Sequence, residues 1–146
     1  MIDTSLPLLK VRDRKLLPVI QGGMGVGVSA HKLAGTVAKE GAIGTIASID
    51  LRVHHPDLME RTKRTKDRKV IDDANMEALD REVKQAREIA GDDGFIAVNV
   101  MKAVDRYPDL VRQACESGAN AIIMGAGLPF DLPDMTRGYD DVALIP

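Results

Sequence analysis

The chain has 146 residues, 45% apolar and 29% charged, which is enough for one domain with a core and too balanced for a disordered segment. Its net charge of −2 gives no electrostatic argument for nucleic acid or an anionic membrane as partner. A single cysteine excludes an internal disulfide and fits a reducing compartment.

The first ten residues, Met1 to Lys10, lack a basic stretch followed by a long apolar run, so they do not read as a signal peptide. No uninterrupted apolar segment is long enough for a bilayer, and the expected location is cytoplasmic. Val19-Ile20-Gln21 is predicted as a short buried strand that runs into a glycine-rich turn, Gly22-Gly23-Met24-Gly25-Val26-Gly27. Ser29 is placed to cap a helix in which Leu33, Ala34, Val37 and Ala38 share one face and Gly41 ends the element. Ala42 to Ile46 is a second strand. A polar, basic stretch over about 50–73 reads as a solvated insertion. Beyond it Met76, Leu79, Val83, Ala86 and Ile89 or Ala90 form one helical stripe. Glu77, Asp80, Arg81, Glu82, Lys84 and Arg87 are assigned to the opposite, solvated side.

After a Gly91-Asp92-Asp93-Gly94 turn, Phe95 to Val100 is a strand that turns polar only at Asn99. Leu110, Val111, Ala114 and Cys115 mark a helix stopped by Gly118. Ala121 to Met124 is a strand followed at once by Gly125-Ala126-Gly127. A short helical turn over Asp131 to Thr136 and a last strand over Val142 to Ile145 complete the pattern. Apolar strands alternating with amphipathic helices predict a parallel α/β sheet covered by helices. An open doubly wound sheet and part of a (β/α)8 barrel both fit. The chain stops at a strand with no covering helix, and a barrel needs about 250 residues. The reading is therefore the N-terminal half of a (β/α)8 TIM barrel, residues 1–146 forming a portion of a single domain. Two unpaired sheet edges make self-association an expected consequence.

In parallel α/β folds the C-terminal strand ends build the site. Glycines there let a flat or phosphorylated ligand approach the backbone, and an amide such as Asn99 both donates and accepts. Met24, between glycines at a strand end, borders that ligand. The glycine spacing lacks the third position of a dinucleotide fingerprint, and no Gly-Lys-Ser or Gly-Lys-Thr is present. His54 and His55 are adjacent and cannot converge on a metal from a regular element, so they read as loop residues and no metal is assigned. His31 reads as surface and Cys115 as core packing. The basic run from Arg61 to Lys69 lacks interleaved aromatics and reads as solvated.

Pro18 to Met24, Leu33 to Gly44, Ile96 to Met101 and Gly118 to Gly127 together resemble the nitronate monooxygenase family, formerly called 2-nitropropane dioxygenases, in the right order along most of the chain. The family also includes flavin-dependent enoyl-acyl-carrier-protein reductases. The basic insertion departs from its pattern. The resemblance implies a (β/α)8 barrel that holds FMN non-covalently at its C-terminal strand ends. Gly22, Gly23 and Met24 would lie along the flavin, Asn99 would hydrogen-bond to it, and Gly125, Ala126 and Gly127 would line the substrate side. The implied partners are a nitronate or similar small molecule and molecular oxygen. The implied alternatives are an NAD(P)H-dependent enoyl-thioester reductase or a truncated, non-catalytic flavin- or nucleotide-binding module. The family's catalytic histidine and phosphate loop are expected beyond residue 146, so no catalytic residue is assigned within this chain.

Overall fold

A computed structural model describes residues 5–146, and the first four residues of the N-terminal reading lie outside the described residues. Two short antiparallel strands, β1 (Leu9–Val11) and β2 (Arg14–Leu16), form a hairpin that the apolar pattern did not announce. Helix α1 (His31–Lys39) leads to β3 (Ile43–Ala47), and β4 (Phe95–Met101), β5 (Ala121–Gly125) and β6 (Ala143–Ile145) follow. The intervening helices are α2 (Pro56–Thr62), α3 (Arg68–Ala90), α4 (Tyr107–Glu116) and a single turn, α5 (Leu132–Met135). Among the described residues no helix is long and apolar enough to cross a membrane.

Strands β3, β4, β5 and β6 pair in that order, every pair parallel. The predicted strand Val19–Gln21 is reduced to one parallel bridge between Ile20 and Ile43, held by Gln21 N–H donating to Ile43 O and Ile43 N–H donating to Val19 O. It still occupies the edge beside β3. The order is therefore sequential throughout the described residues, with none of the reversal that defines a doubly wound sheet. The fold is α/β of the barrel kind, and this chain supplies a part of the barrel.

The sheet separates two apolar clusters, as the two-residue period of a strand requires. On one face Ile46, Ile96, Val98, Val100, Ile122 and Met124 meet α1, α3 and α4. On the other, Ile43, Phe95, Ala97, Ala121 and Ala143 pack against the hairpin through Leu9, Val11 and Leu16. The hairpin thus covers the N-terminal ends of the strands. Arg12 fixes it there by donating to Val142 O at 2.8 Å. The C-terminal ends stay open.

The polar stretch predicted as an insertion is ordered. It forms a 3-10 turn (Leu51–His54), α2 and the first turns of α3. Leu51 and Leu58 carry it into the core, and each is fully buried. Full burial of a leucine contributes about 1.5–3 kcal/mol, which explains why a segment so rich in charge docks. Asp67 accepts from Lys69 N–H at 2.9 Å and starts α3. Gly41 and Gly118, with φ of +89° and +94°, end α1 and α4 as the pattern predicted. Cys115 is buried, and desolvation pushes its thiol up to about 11, which fits packing and not nucleophilic use.

Small residues bring α1 against the sheet. A Cβ added to Gly44 would lie 1.8 Å from Ala34 O, an impossible contact with backbone. Gly44→Ala is expected to lower stability by roughly 2 kcal/mol or more. Equilibrium denaturation checks this; an unchanged midpoint would mean that α1 does not rest on β3 as described.

Candidate functional site

The glycine turn is held shut by Ser29. Its hydroxyl donates to Gly22 O at 3.1 Å and accepts Met24 N–H at 2.9 Å, while Ser29 N–H donates to Met24 O at 3.0 Å. The predicted cap role is displaced, because α1 starts two residues later and shows no side-chain cap bond. Gln21 shares the job. Its amide donates to Ser29 Oγ at 2.8 Å and to Gly22 O, and its Oε1 accepts Thr45 N–H at 3.0 Å. The sequence reading passed over Gln21; a polar residue closing an apolar strand beside glycines was the available signal.

A cleft of about 320 Å³ opens at the ends of β3 and β4. Gly23, Gly25, Ala47, Ile49, Asn99 and Met101 line it. Asn99 stands level with Ala47 and Ile123 in the strand register, and its amide donates to Ile123 O at 3.2 Å. One amide hydrogen therefore serves the sheet, leaving the other hydrogen and the carbonyl for a ligand. A Cβ on Gly23 would lie 2.6 Å from Asn99 Cβ, and one on Gly25 would lie 2.6 Å from an Ile49 methyl carbon. These glycines are required by close packing of the turn on the strand ends. A Cβ on Gly22 would meet nothing within 4 Å. Gly22 thus presents open backbone, which suits a flat ligand. Met24 spends both backbone polar groups on Ser29 and offers its side chain, 43% exposed.

Gly125 lies opposite Met101, one strand away from Asn99. Ala126 adopts a left-handed φ of +58°, and a Cβ on Gly127 would press on the Lys102 side chain. None of the three lines the cleft beside Asn99. Their loop is instead fixed by Lys102, whose Nζ donates to Leu128 O and to Asp131 Oδ1, each at 2.7 Å. Tyr107 donates its hydroxyl to the other Asp131 oxygen. The Lys102 bond, followed by that from Tyr107, holds the Asp131 carboxyl down to about 2.

Glu82 corrects the sequence reading most plainly. Assigned to a solvated face, it is fully buried. Position 82 falls three residues after Leu79 and four before Ala86, inside the apolar stripe, so helical spacing could have found it. One carboxylate oxygen accepts both His31 N–H and the His31 ring nitrogen Nδ1, each at 2.7 Å. His55 Nε2 approaches the other oxygen to 3.0 Å, an ion-pair contact whose angle is poor for a hydrogen bond. His31 and His55, read as surface and loop residues, thus clamp a buried acid that also sits at the N-terminus of α1, where its charge is favoured. His54 faces away to the glycine turn: a Cβ on Gly27 would fall 1.4 Å from its Nε2. The two adjacent histidines do not converge on one point. Among the described residues no group of three potential ligands is suited to a metal ion.

No protein-family profile and no curated protein sequence matches the chain. A solved structure does: a point mutant of FabK from Thermotoga maritima, with a TM-score of 0.61 at 20% identity. The match covers 88% of this chain and 35% of FabK, so the chain spans about a third of that protein's length. At this identity the likeness is one of fold, and it assigns the parallel strands and their helices to part of a TIM barrel.

Two outcomes follow from the polar contacts. Glu82→Gln keeps the shape and removes the charge, and should cost about 1–3 kcal/mol by equilibrium denaturation; a loss near zero would make the two histidine contacts incidental. For Asp131, a carboxyl lowered on folding stabilises above its unfolded value of 3.8, and that contribution is lost as pH falls towards 2. A carboxyl-carbon NMR titration should show a midpoint near 2 that rises towards 3.8 in Lys102→Met. A midpoint indifferent to Lys102 would sink the assignment.

Proposed function

We propose that this chain supplies the first strand-end walls of an FMN-dependent oxidoreductase that oxidises alkyl nitronates with molecular oxygen to a carbonyl compound and nitrite. The observation that carries the reading is the cleft lined by Gly23, Gly25, Ala47 and Asn99 at the C-terminal ends of parallel barrel strands, with the open backbone of Gly22 next to Gly23 in the turn. In this reading Gly22 and Gly23 give the flavin a surface free of side chains, and the Met24 side chain borders it. Asn99 offers one amide hydrogen and its carbonyl to a heterocycle edge. Gly125, Ala126 and Gly127 stand on the substrate side in this reading, in a loop that Lys102 ties down through Leu128 O and Asp131. The flavin, when bound, supplies the electron-transfer chemistry. The chain's own part is to orient the ring, exclude bulk from one face and present hydrogen bonds.

The likeness to FabK, a flavin enoyl reductase, supports a flavin oxidoreductase of this broad kind and favours a second reading, reduction of an enoyl thioester by NAD(P)H. Two assays separate them: bleaching of flavin absorbance by NAD(P)H under anaerobic conditions marks the reductase, whereas nitronate-dependent oxygen uptake in aerated buffer marks the oxygenase. A protein that retains no flavin and takes up no added FMN would defeat both.

Substitutions at the turn test the cleft itself. Gly22→Ala puts a methyl group into open space, so folding should be unchanged while FMN affinity falls about tenfold, the size of one lost hydrogen bond or close contact. Asn99→Leu should give a similar fall. FMN titration reads both, with circular dichroism as the folding control; wild-type affinity in each would remove the cleft from consideration.

A further inference from the structure

A cavity of about 450 Å³ lies at the other end of the strands, between the hairpin and the starts of β4, β5 and β6. Arg12, Asp13, Arg14, Phe95, Asn120 and Asp141 line it. Arg12 and Asp13 form the hairpin turn and Arg14 opens β2. Phe95 opens β4, Asn120 immediately precedes β5, and Asp141 stands two residues before β6. Cavities of this size accommodate small-molecule ligands.

The charges around this cavity are not matched to one another. Arg12 donates to Val142 O at 2.8 Å and Arg14 donates to Asp93 O, so both guanidiniums meet neutral main-chain acceptors. Among the described residues neither forms an ion pair, and the Asp13 and Asp141 carboxylates have no hydrogen-bond or ion-pair partner. Two cations and two anions thus share one hollow without pairing. Each guanidinium keeps further N–H donors to spend. Asn120 adds a directed one. Its Oδ1 accepts Ile96 N–H at 2.9 Å and an Arg87 Nη1 hydrogen at 3.2 Å, which fixes the amide and leaves its NH2 without a partner among the described residues.

A simple anion would gain from the arginines and lose to the aspartates, and a simple cation would do the reverse. A ligand that carries both charges gains from both sets. We propose that this cavity binds a free α-amino acid as its zwitterion. Arg12, Arg14 and the Asn120 amide take the carboxylate, Asp13 and Asp141 take the ammonium group, and Phe95 gives the side chain an apolar surface. Hydrogen bonds with a charge on both partners are the stronger class, so both ends of the ligand matter to affinity.

The test uses the full ¹⁵N-labelled chain without flavin, read at the Asn120 side-chain amide. It is titrated with L-leucine and with two compounds of the same skeleton that keep one charge each, 4-methylpentanoate and 3-methylbutylamine. L-leucine should bind with a Kd at least about tenfold lower than either. Asp13→Asn combined with Asp141→Asn should weaken L-leucine about tenfold and leave 4-methylpentanoate as tight or tighter. Both aspartates are exposed, so the fold should survive, with circular dichroism as the control. If the double variant does not fold, the two single variants take its place and the larger loss is read. No saturable response to L-leucine, equal affinity for either single-charge compound, or unchanged L-leucine binding in the folded variants would each overturn the proposal. The cavity and the cleft lie at opposite ends of the strands, so failure here leaves the flavin reading standing, and the reverse.

Discussion

Everything at the open end of this sheet depends on how closely α1 lies on β3. Gly44 carries no side chain, so the Ala34 carbonyl sits where its Cβ would be. The next residue of the helix, Gly35, does the same towards α3, with Ala86 O and the Ile89 side chain in the space of a Cβ. Two glycines and an alanine therefore let one short helix touch a strand and a long helix at backbone distance. Interiors packed this tightly leave no slack for displacement. The N-terminus of α1 is thereby fixed, and with it Ser29 and the turn that Ser29 closes.

That position explains the buried acid. The start of a helix leaves free N–H groups that need a partner. Glu82 reaches it from α3 and accepts His31 N–H, while His55 approaches from the junction of the 3-10 turn with α2. One carboxylate so joins three elements distant in sequence. Burial of a charge is costly without such pairing. His54, the neighbour of His55, rests against Gly27. The glycine turn is thus braced by Ser29 and Gln21 within and by His54 from outside, and a turn rigid at its base can present Gly22 as open backbone.

The strand-end cleft and a hollow between the N-terminal part of α3 and the start of α4 are two consequences of one arrangement. The ordered segment after β3 packs Leu51 and Leu58 into the core and turns Ile71 and Met76 towards the start of α4. Its charges face outward or meet one another, as with Arg81 against Asp57 and Glu77. Exposed pairs of this kind add little stability; the leucines hold the segment, and the charges keep it soluble. A region that composition marks as surface thereby lines a hollow next to the cleft.

Much of this was legible in the residues alone. Alternating apolar strands and striped helices determined a parallel α/β sheet, because period two and period 3.6 demand different buried faces. Glycines and an amide at strand ends located the open end, and the stop signals at Gly41 and Gly118 held to the residue, since only a left-handed backbone ends those helices there. Tertiary structure alone decided the rest. Strand order chose barrel over doubly wound sheet, because order depends on which edges meet and not on local pattern. The hairpin of β1 and β2 gained its place from the strand ends it covers, being too short to show a period. Glu82, His31 and His55 found one another only in the fold: Glu82 meets His31 from 51 positions away and His55 from 27, separations that no window of sequence spans.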